Sequence, residues 1–142
     1  MTIVRNDEHS TEFGLYLRKL RYPLSSAVCD AQNLDFIWHN YRENWFILIE
    51  EKRYGSKSSF AQRDTHGMIS QLLEKASGCQ VWTAKRTLKK KEYRGYYLIQ
   101  FQNTSPEDSS WYLINDCVFK DDSGLLHLLT YGSLPEVAEH TA

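Results

Sequence analysis

Apolar positions along this chain switch between two spacings, and the switches mark out its elements. Phe13, Leu17 and Leu20 recur at helical spacing behind Ser10 and Thr11, which stand where an N-cap belongs, and Pro23 marks the stop, so a first helix is predicted there. SSAVCDA reads as a short strand, LDFIWHNY as a second and WFILIEEKRY as a third, with Asn40 to Asn44 supplying the turn that pairs the last two as a hairpin. Trp45 to Ile49 is apolar on both parities, which predicts a central strand covered on both faces. After the loop YGSKSS, Ser58 or Ser59 can cap a second helix, FAQRDTHGMISQLLEKAS, with Ile69, Leu72 and Leu73 on its apolar face and Gly78 at its stop. GYYLIQFQ follows as a fourth long strand, WYLIND and CVFK as a hairpin about Asn115 and Asp116, and SGLLHLLTYG as a short terminal helix.

A chain of 142 residues is one ordinary domain, read as a single unit over 1–142 and long enough to enclose a core. Its longest apolar run, around WFILI, is too short to span a bilayer, and MTIVRNDEHSTEF lacks the charged-then-apolar layout of a signal peptide, so a cytoplasmic protein is expected. Cys29, Cys79 and Cys117 form no CxxC pair, which fits reduced thiols better than a disulfide framework or a zinc site. A net charge of -1 argues against a generally basic coat for nucleic acid, yet the charge is patterned. LRKLR and KRTLKKKEYR concentrate Lys19, Arg21, Lys85, Arg86, Lys89, Lys90, Lys91 and Arg94, while acids crowd into SPEDSS and KDDSG. The bland account of the basic runs is a solvated loop kept soluble by its lysines.

The stretch from Leu34 to Lys52 carries acid where a buried strand would not want it: Asp35 opens the first strand of the hairpin, and Glu50 and Glu51 close the second. Glu50 and Lys52 are two apart on a strand, so their side chains leave one face. In an antiparallel hairpin the start of one strand lies beside the end of the next, which brings Asp35 toward Glu50. Two carboxylates plus the backbone carbonyl of Glu51 make the hard, oxygen-only, partly open site that Mg²⁺ or Mn²⁺ prefers, with waters and a substrate phosphate completing it. There the metal lowers the pKa of bound water, and Lys52 orients that water or neutralises developing charge, which is phosphodiester hydrolysis. Glu50-Glu51-Lys52 is the only acid-x-Lys triplet in the chain. The competing account, in which charges merely blunt a strand end against aggregation, leaves Asp35 without a role.

This arrangement resembles the PD-(D/E)XK nuclease superfamily, the restriction-endonuclease-like fold. The motif is an Asp near the start of one strand, then Glu or Asp, any residue and Lys near the end of the next; LD at 34–35 and EEK at 50–52 stand in those places, with Leu34 where the motif has Pro. The likeness runs from Glu12 to Gln102 through the order helix, three strands, helix, strand. It implies an α/β core with a central mixed sheet flanked by helices, here followed by a C-terminal hairpin and short helix. It also implies an acid on the first helix and a Gln or basic residue on the second reaching the site, and Glu12 and Gln62 occupy those elements, Glu12 as a further metal ligand. Glu50 is assigned as the motif acid because Glu51 faces away from Lys52.

Gln62, Asp64 and His66 open the second helix, and Gln62 and His66 are i, i+4 neighbours, but only Gln62 is carried into the site. His39 and His127 lie amid apolar residues, as structural histidines do. GSKSS lacks the spacing of a phosphate-cradling loop, and no Ser/His/Asp or Cys/His signature is visible. Trp38, Trp45, Trp111, Tyr93, Tyr96 and Tyr97 read mainly as packing, with some rings able to stack on unpaired bases beside the basic run. The expected activity is that of a small metal-dependent endonuclease, acting on DNA ahead of RNA and selecting structure over sequence, as a resolvase, repair or defence nuclease does. Lys85, Arg86, Lys89, Lys90, Lys91 and Arg94 would contact phosphates, and a homodimer would reach both strands. The rival from another class is a module that binds or regulates on the same fold without cutting.

Overall fold

The computed structural model describes residues 12, 13, 15–17, 32–56 and 58–136 and the backbone of 139–140. Residues 12, 13 and 15–17 are helical, in the first expected helix; the expected strand SSAVCDA, with Lys19 and Arg21, lies outside the described residues. Strands β1 (Phe36–Asn40) and β2 (Trp45–Arg53) form the anticipated hairpin, in register Phe36 to Ile49 and Asn40 to Trp45. Its turn is closed by the side chain of Asn40, which accepts from the Glu43 amide, and by Asn44 at φ 61°, a left-handed position that Asn tolerates.

Helix α1 (Phe60–Ala76) starts at Ser59, whose hydroxyl accepts from the Gln62 amide, and its chain turns away at Gly78, φ 87°. The basic segment does not stay a loop: β3 (Gln80–Trp82) and β4 (Leu88–Lys90) pair as a small separate hairpin. The chain then enters β5 (Glu92–Phe101), parallel to β2, so β2, α1 and β5 form one crossover unit. β6 (Tyr112–Ile114) and β7 (Cys117–Phe119) are the second expected hairpin, turning at Asn115 and Asp116 with φ 47° and 69°. Helix α2 (Ser123–Tyr131) ends on Gly132 in the left-handed conformation, and β8 (Glu139–His140), which the pattern did not reveal, adds to β7. The sheet order is β1-β2-β5-β6-β7-β8, a mixed sheet in an α/β chain.

Alternation along β2 gives the sheet two different faces. Trp45, Ile47 and Ile49 point one way and pack with Ile99, Phe101, Tyr112, Ile114, Phe119 and Leu128, a dry core closed by α2. Phe46, Leu48, Glu50 and Lys52 have the opposite parity, and α1 meets that face through Ser70, hydrogen-bonded to Tyr93, and His66, beside Tyr96. Between these contacts the β2–β5 register slips by one residue, from Phe46 opposite Tyr93 to Leu48 opposite Tyr96. Gly95, at φ 118°, sits in the extra residue's path. The slip places Tyr93 and Tyr96 on the same face despite their odd spacing. Among the described residues no helix is long and apolar enough to cross a membrane.

Candidate active site

The β1–β2 register, continued by one pair, sets Asp35 opposite Glu50. Asp35 Oδ2 accepts from the Glu51 amide at 2.8 Å, so the acid is fixed against the backbone of the strand it faces. Two residues further along β2, Lys52 Nζ donates to Gln62 Oε1 at 3.1 Å. Gln62 lies in the first turn of α1, which runs back from the end of β2, and the Ser59 cap fixes that turn. Asp35, Glu50, Lys52 and Gln62 therefore lie at one end of the sheet. Glu51 has the parity of Ile49, on the α2 side, and what it presents near Asp35 is backbone.

Glu50 is only 2 % exposed and His66 4 %, the two buried polar side chains among the described residues. His66 Nε2 lies 2.6 Å from the Asn33 carbonyl oxygen; a carbonyl can only accept, so Nε2 carries a proton and donates. That leaves Nδ1 facing the Tyr96 hydroxyl at 3.1 Å and Glu50 Oε2 at 3.3 Å. One imidazole thus ties together the segment leading into Asp35, the buried acid on β2 and a phenol on β5. Burial, then the nearby Glu50 and Asp35 carboxylates and Tyr93, hold the Tyr96 hydroxyl well above the usual phenol range, so it remains an O–H. His66 and Tyr96 are the members that sequence reasoning left out. The i, i+4 spacing of Gln62 and His66 was the available signal for the first; Tyr96 needed the slip at Gly95.

The other expected site residues lie elsewhere. Glu12 is helical and exposed, and no hydrogen bond or ion pair among the described residues joins it to the cluster. Lys85, Arg86, Lys89 and Lys90 are exposed on the β3–β4 hairpin. Lys91 is tied into the fold, donating to Asn44 Oδ1 at 2.9 Å with its Nζ 3.0 Å from His39 Nε2. Burial and then this ammonium push the His39 imidazole below its ordinary pKa, which suits an accepting Nε2. Arg94 pairs with Glu92, donates to the Tyr131 carbonyl and lies over the Trp45 ring, so it too has a place within the fold.

No family model, curated protein or solved structure matches the chain.

The residues present fit a hard divalent ion better than a soft one. Among the described residues no three His, Cys, Asp or Glu side chains gather as a metal-binding group. A cage of protein ligands is not what Mg²⁺ requires, since it typically takes one or two carboxylates and fills its remaining positions with water and phosphate oxygens. Asp35, Glu50 and the Glu51 carbonyl offer such a set. His66 does not compete as a ligand, because Nε2 is engaged by the Asn33 carbonyl and Nδ1 by the Tyr96 hydroxyl beside the acid.

Proposed function

We propose that the protein is a metal-dependent nuclease hydrolysing phosphodiester bonds of nucleic acid, DNA ahead of RNA, on a restriction-endonuclease-like core. The observation that carries this reading is the pairing of Asp35 with Glu50 across two strand ends, with Lys52 on the same face and held by Gln62. A strand-end pair of acids with a lysine two residues on is costly to bury for stability alone and suits a site where charge must be positioned. Asp35, Glu50 and the Glu51 carbonyl would hold Mg²⁺ or Mn²⁺, which when bound supplies Lewis-acid stabilisation of the phosphate and a more acidic water.

The chain's own groups do the rest. Lys52 places an ammonium where the attacking water or the phosphate oxygens must lie, and Gln62 fixes its direction. His66, hydrogen-bonded to Asn33 and Tyr96, packs against the Glu50 carboxylate at 3.3 Å and limits the space in which it can reorganise during the reaction. The crossover order of β2, α1 and β5 supports the resemblance to the nuclease core, and the exposed cations of the β3–β4 hairpin support a polyanionic substrate. The test is cleavage of linear, branched and single-stranded substrates with Mg²⁺ or Mn²⁺, alongside calorimetric metal titration. Asp35→Asn, Glu50→Gln and Lys52→Ala should each abolish cutting in a folded protein, with metal binding lost in the first two. A wild-type protein that binds neither ion and cuts no substrate would return the chain to the non-cutting module.

A further inference from the structure

The β3–β4 hairpin has no part in either layer of the core. Gln80 to Trp82 and Leu88 to Lys90 are exposed at every position, and Trp82, the largest of these side chains, is 70 % exposed. A two-stranded hairpin with nothing packed on it is marginal by itself. This one is held at both ends. At its tip the Thr83 and Thr87 hydroxyls lie 2.8 Å apart, the Thr83 amide donates to the Thr87 carbonyl, and the Arg86 amide donates to the Thr83 carbonyl. At its base the Gly78 amide donates to the Lys91 carbonyl and the Lys91 amide donates to the Cys79 carbonyl, and the Lys91 side chain anchors to Asn44.

Its charge is one-sided. Residues 79–91 contain Lys85, Arg86, Lys89, Lys90 and Lys91 and no acid, in a chain whose net charge is -1. The register pairs Trp82 with Leu88 and Gln80 with Lys90, so the indole shares a face with Lys90, and the turn beyond it carries Lys85 and Arg86. An exposed ring bordered by cations on a rigid support is the arrangement that holds single-stranded nucleic acid, with the ring stacking on a base and the cations meeting phosphates.

We propose that Trp82 stacks on an unpaired base while Lys85, Arg86 and Lys90 bind the flanking phosphates, which makes the hairpin a second contact for substrate containing single-stranded nucleic acid. This rests on the nuclease reading and adds a substrate class to it. The geometry also sets a spacing. The hairpin springs from the end of α1 remote from Gln62, and β2 runs from Trp45 beside it to Glu50 in the acid cluster. Five residues of strand span about 17 Å, and the 17 residues of α1 span about 25 Å. At about 3.4 Å per base pair the base of the hairpin lies roughly five to seven pairs from the acid cluster, so a duplex that opens into a single strand beyond that distance from the cut would engage both.

Anisotropy titrations in EDTA, with labelled single strands of about ten nucleotides and the matching duplex, read binding without cleavage. Trp82→Ala should weaken single-strand binding about 5- to 150-fold, the loss of one base–aromatic stack, with little change for duplex. Trp82→Tyr should recover most of the loss, and it keeps an aromatic cross-strand partner for Leu88 should the alanine variant unravel the hairpin. Lys85→Ala with Lys90→Ala should lower the salt-dependence slope by about 1.4, at about 0.7 per cation on a single strand. Single-strand affinity unchanged in Trp82→Ala overturns the proposal. So does an effect confined to phosphatidylserine vesicles or to self-association on a sizing column, which would assign the hairpin to a membrane surface or a second copy. Asp35→Asn should keep the Trp82-dependent binding; if wild type shows that binding and never cuts, the nuclease reading fails alone.

Discussion

Replacing His66 tests the cluster at its junction. His66→Ala removes the Nε2 donor from the Asn33 carbonyl and takes the imidazole from beside Glu50, which is 2 % exposed. Leaving the part-buried Asn33 carbonyl without its donor costs about 1–3 kcal/mol, and taking the imidazole from 3.3 Å beside the buried Glu50 carboxylate leaves that charge less compensated. Because relaxation and water entry offset part of both, about 3–5 kcal/mol is expected, a large share of the 5–15 kcal/mol that holds a typical domain together. Glu50→Gln keeps the volume and removes the charge. In that background His66→Ala should cost only the Asn33 bond and the small cavity, leaving a coupling of about 2 kcal/mol in the double-mutant cycle. His66→Gln, whose amide reaches the place of Nε2, should recover the Asn33 part alone.

The assay is urea unfolding followed by tryptophan emission, with m-values compared so that changes in midpoint report stability. Residues in contact are expected to couple by more than about 0.5 kcal/mol. Additivity of His66→Ala and Glu50→Gln within that margin would refute the idea that imidazole and acid hold each other.

Tyr96 has its folded pKa raised above the ordinary value of 10.0, so the stability it contributes is present below that pH and lost as pH rises beyond it; Tyr96→Phe should flatten the alkaline limb of a stability-against-pH curve. Lys91→Ala should lower stability by about 1–2 kcal/mol through its lost bonds to Asn44 and His39, whereas Lys90→Ala should leave the urea midpoint in place and show only in nucleic-acid binding. Gly95→Ala puts a side chain at φ 118° with its Cβ 3.3 Å from the Tyr97 ring, and should destabilise by about 1–3 kcal/mol while weakening the coupling between His66 and Tyr96.

What could be read from the sequence was mostly local. Ser59 and Gly78 mark the ends of α1 through their own chemistry, and the Asn115–Asp116 turn declares its hairpin because few residues accept two successive positive φ angles. The pairing of Asp35 with Glu50 was also legible, since a hairpin converts chain order into neighbourhood. The β3–β4 hairpin was not, because its strands bury nothing and so show no alternation of apolar and polar residues to betray them. His66 and Tyr96 meet across 30 positions, and whether they face each other depended on one inserted residue in β5. Strand parity counted along YRGYYLIQF runs past that insertion and assigns its rings to the wrong faces.

The slip at Gly95 also explains how one sheet can carry a dry face and a charged one side by side. Beyond the slip, Tyr97, Ile99 and Phe101 keep to the α2 side and build the core, while Tyr96 turns toward α1 and supplies a hydroxyl to the only buried histidine among the described residues. Without the extra residue, continued from Tyr93 at strict alternation, the register would point Tyr96 into the apolar cluster, where its O–H would need a partner the core does not offer. His66 would then face Glu50 without the phenol. Because α1 runs back along the same face from Gln62 to the base of the cationic hairpin, this single helix sets both ends of the surface a polyanion would cross: acids and a lysine at one end, uncompensated cations at the other. That separation has an electrostatic reason. If Asp35 and Glu50 hold a divalent ion as proposed, further cations beside Lys52 would weaken that hold, and phosphate contacts made from the far end of the helix leave it intact.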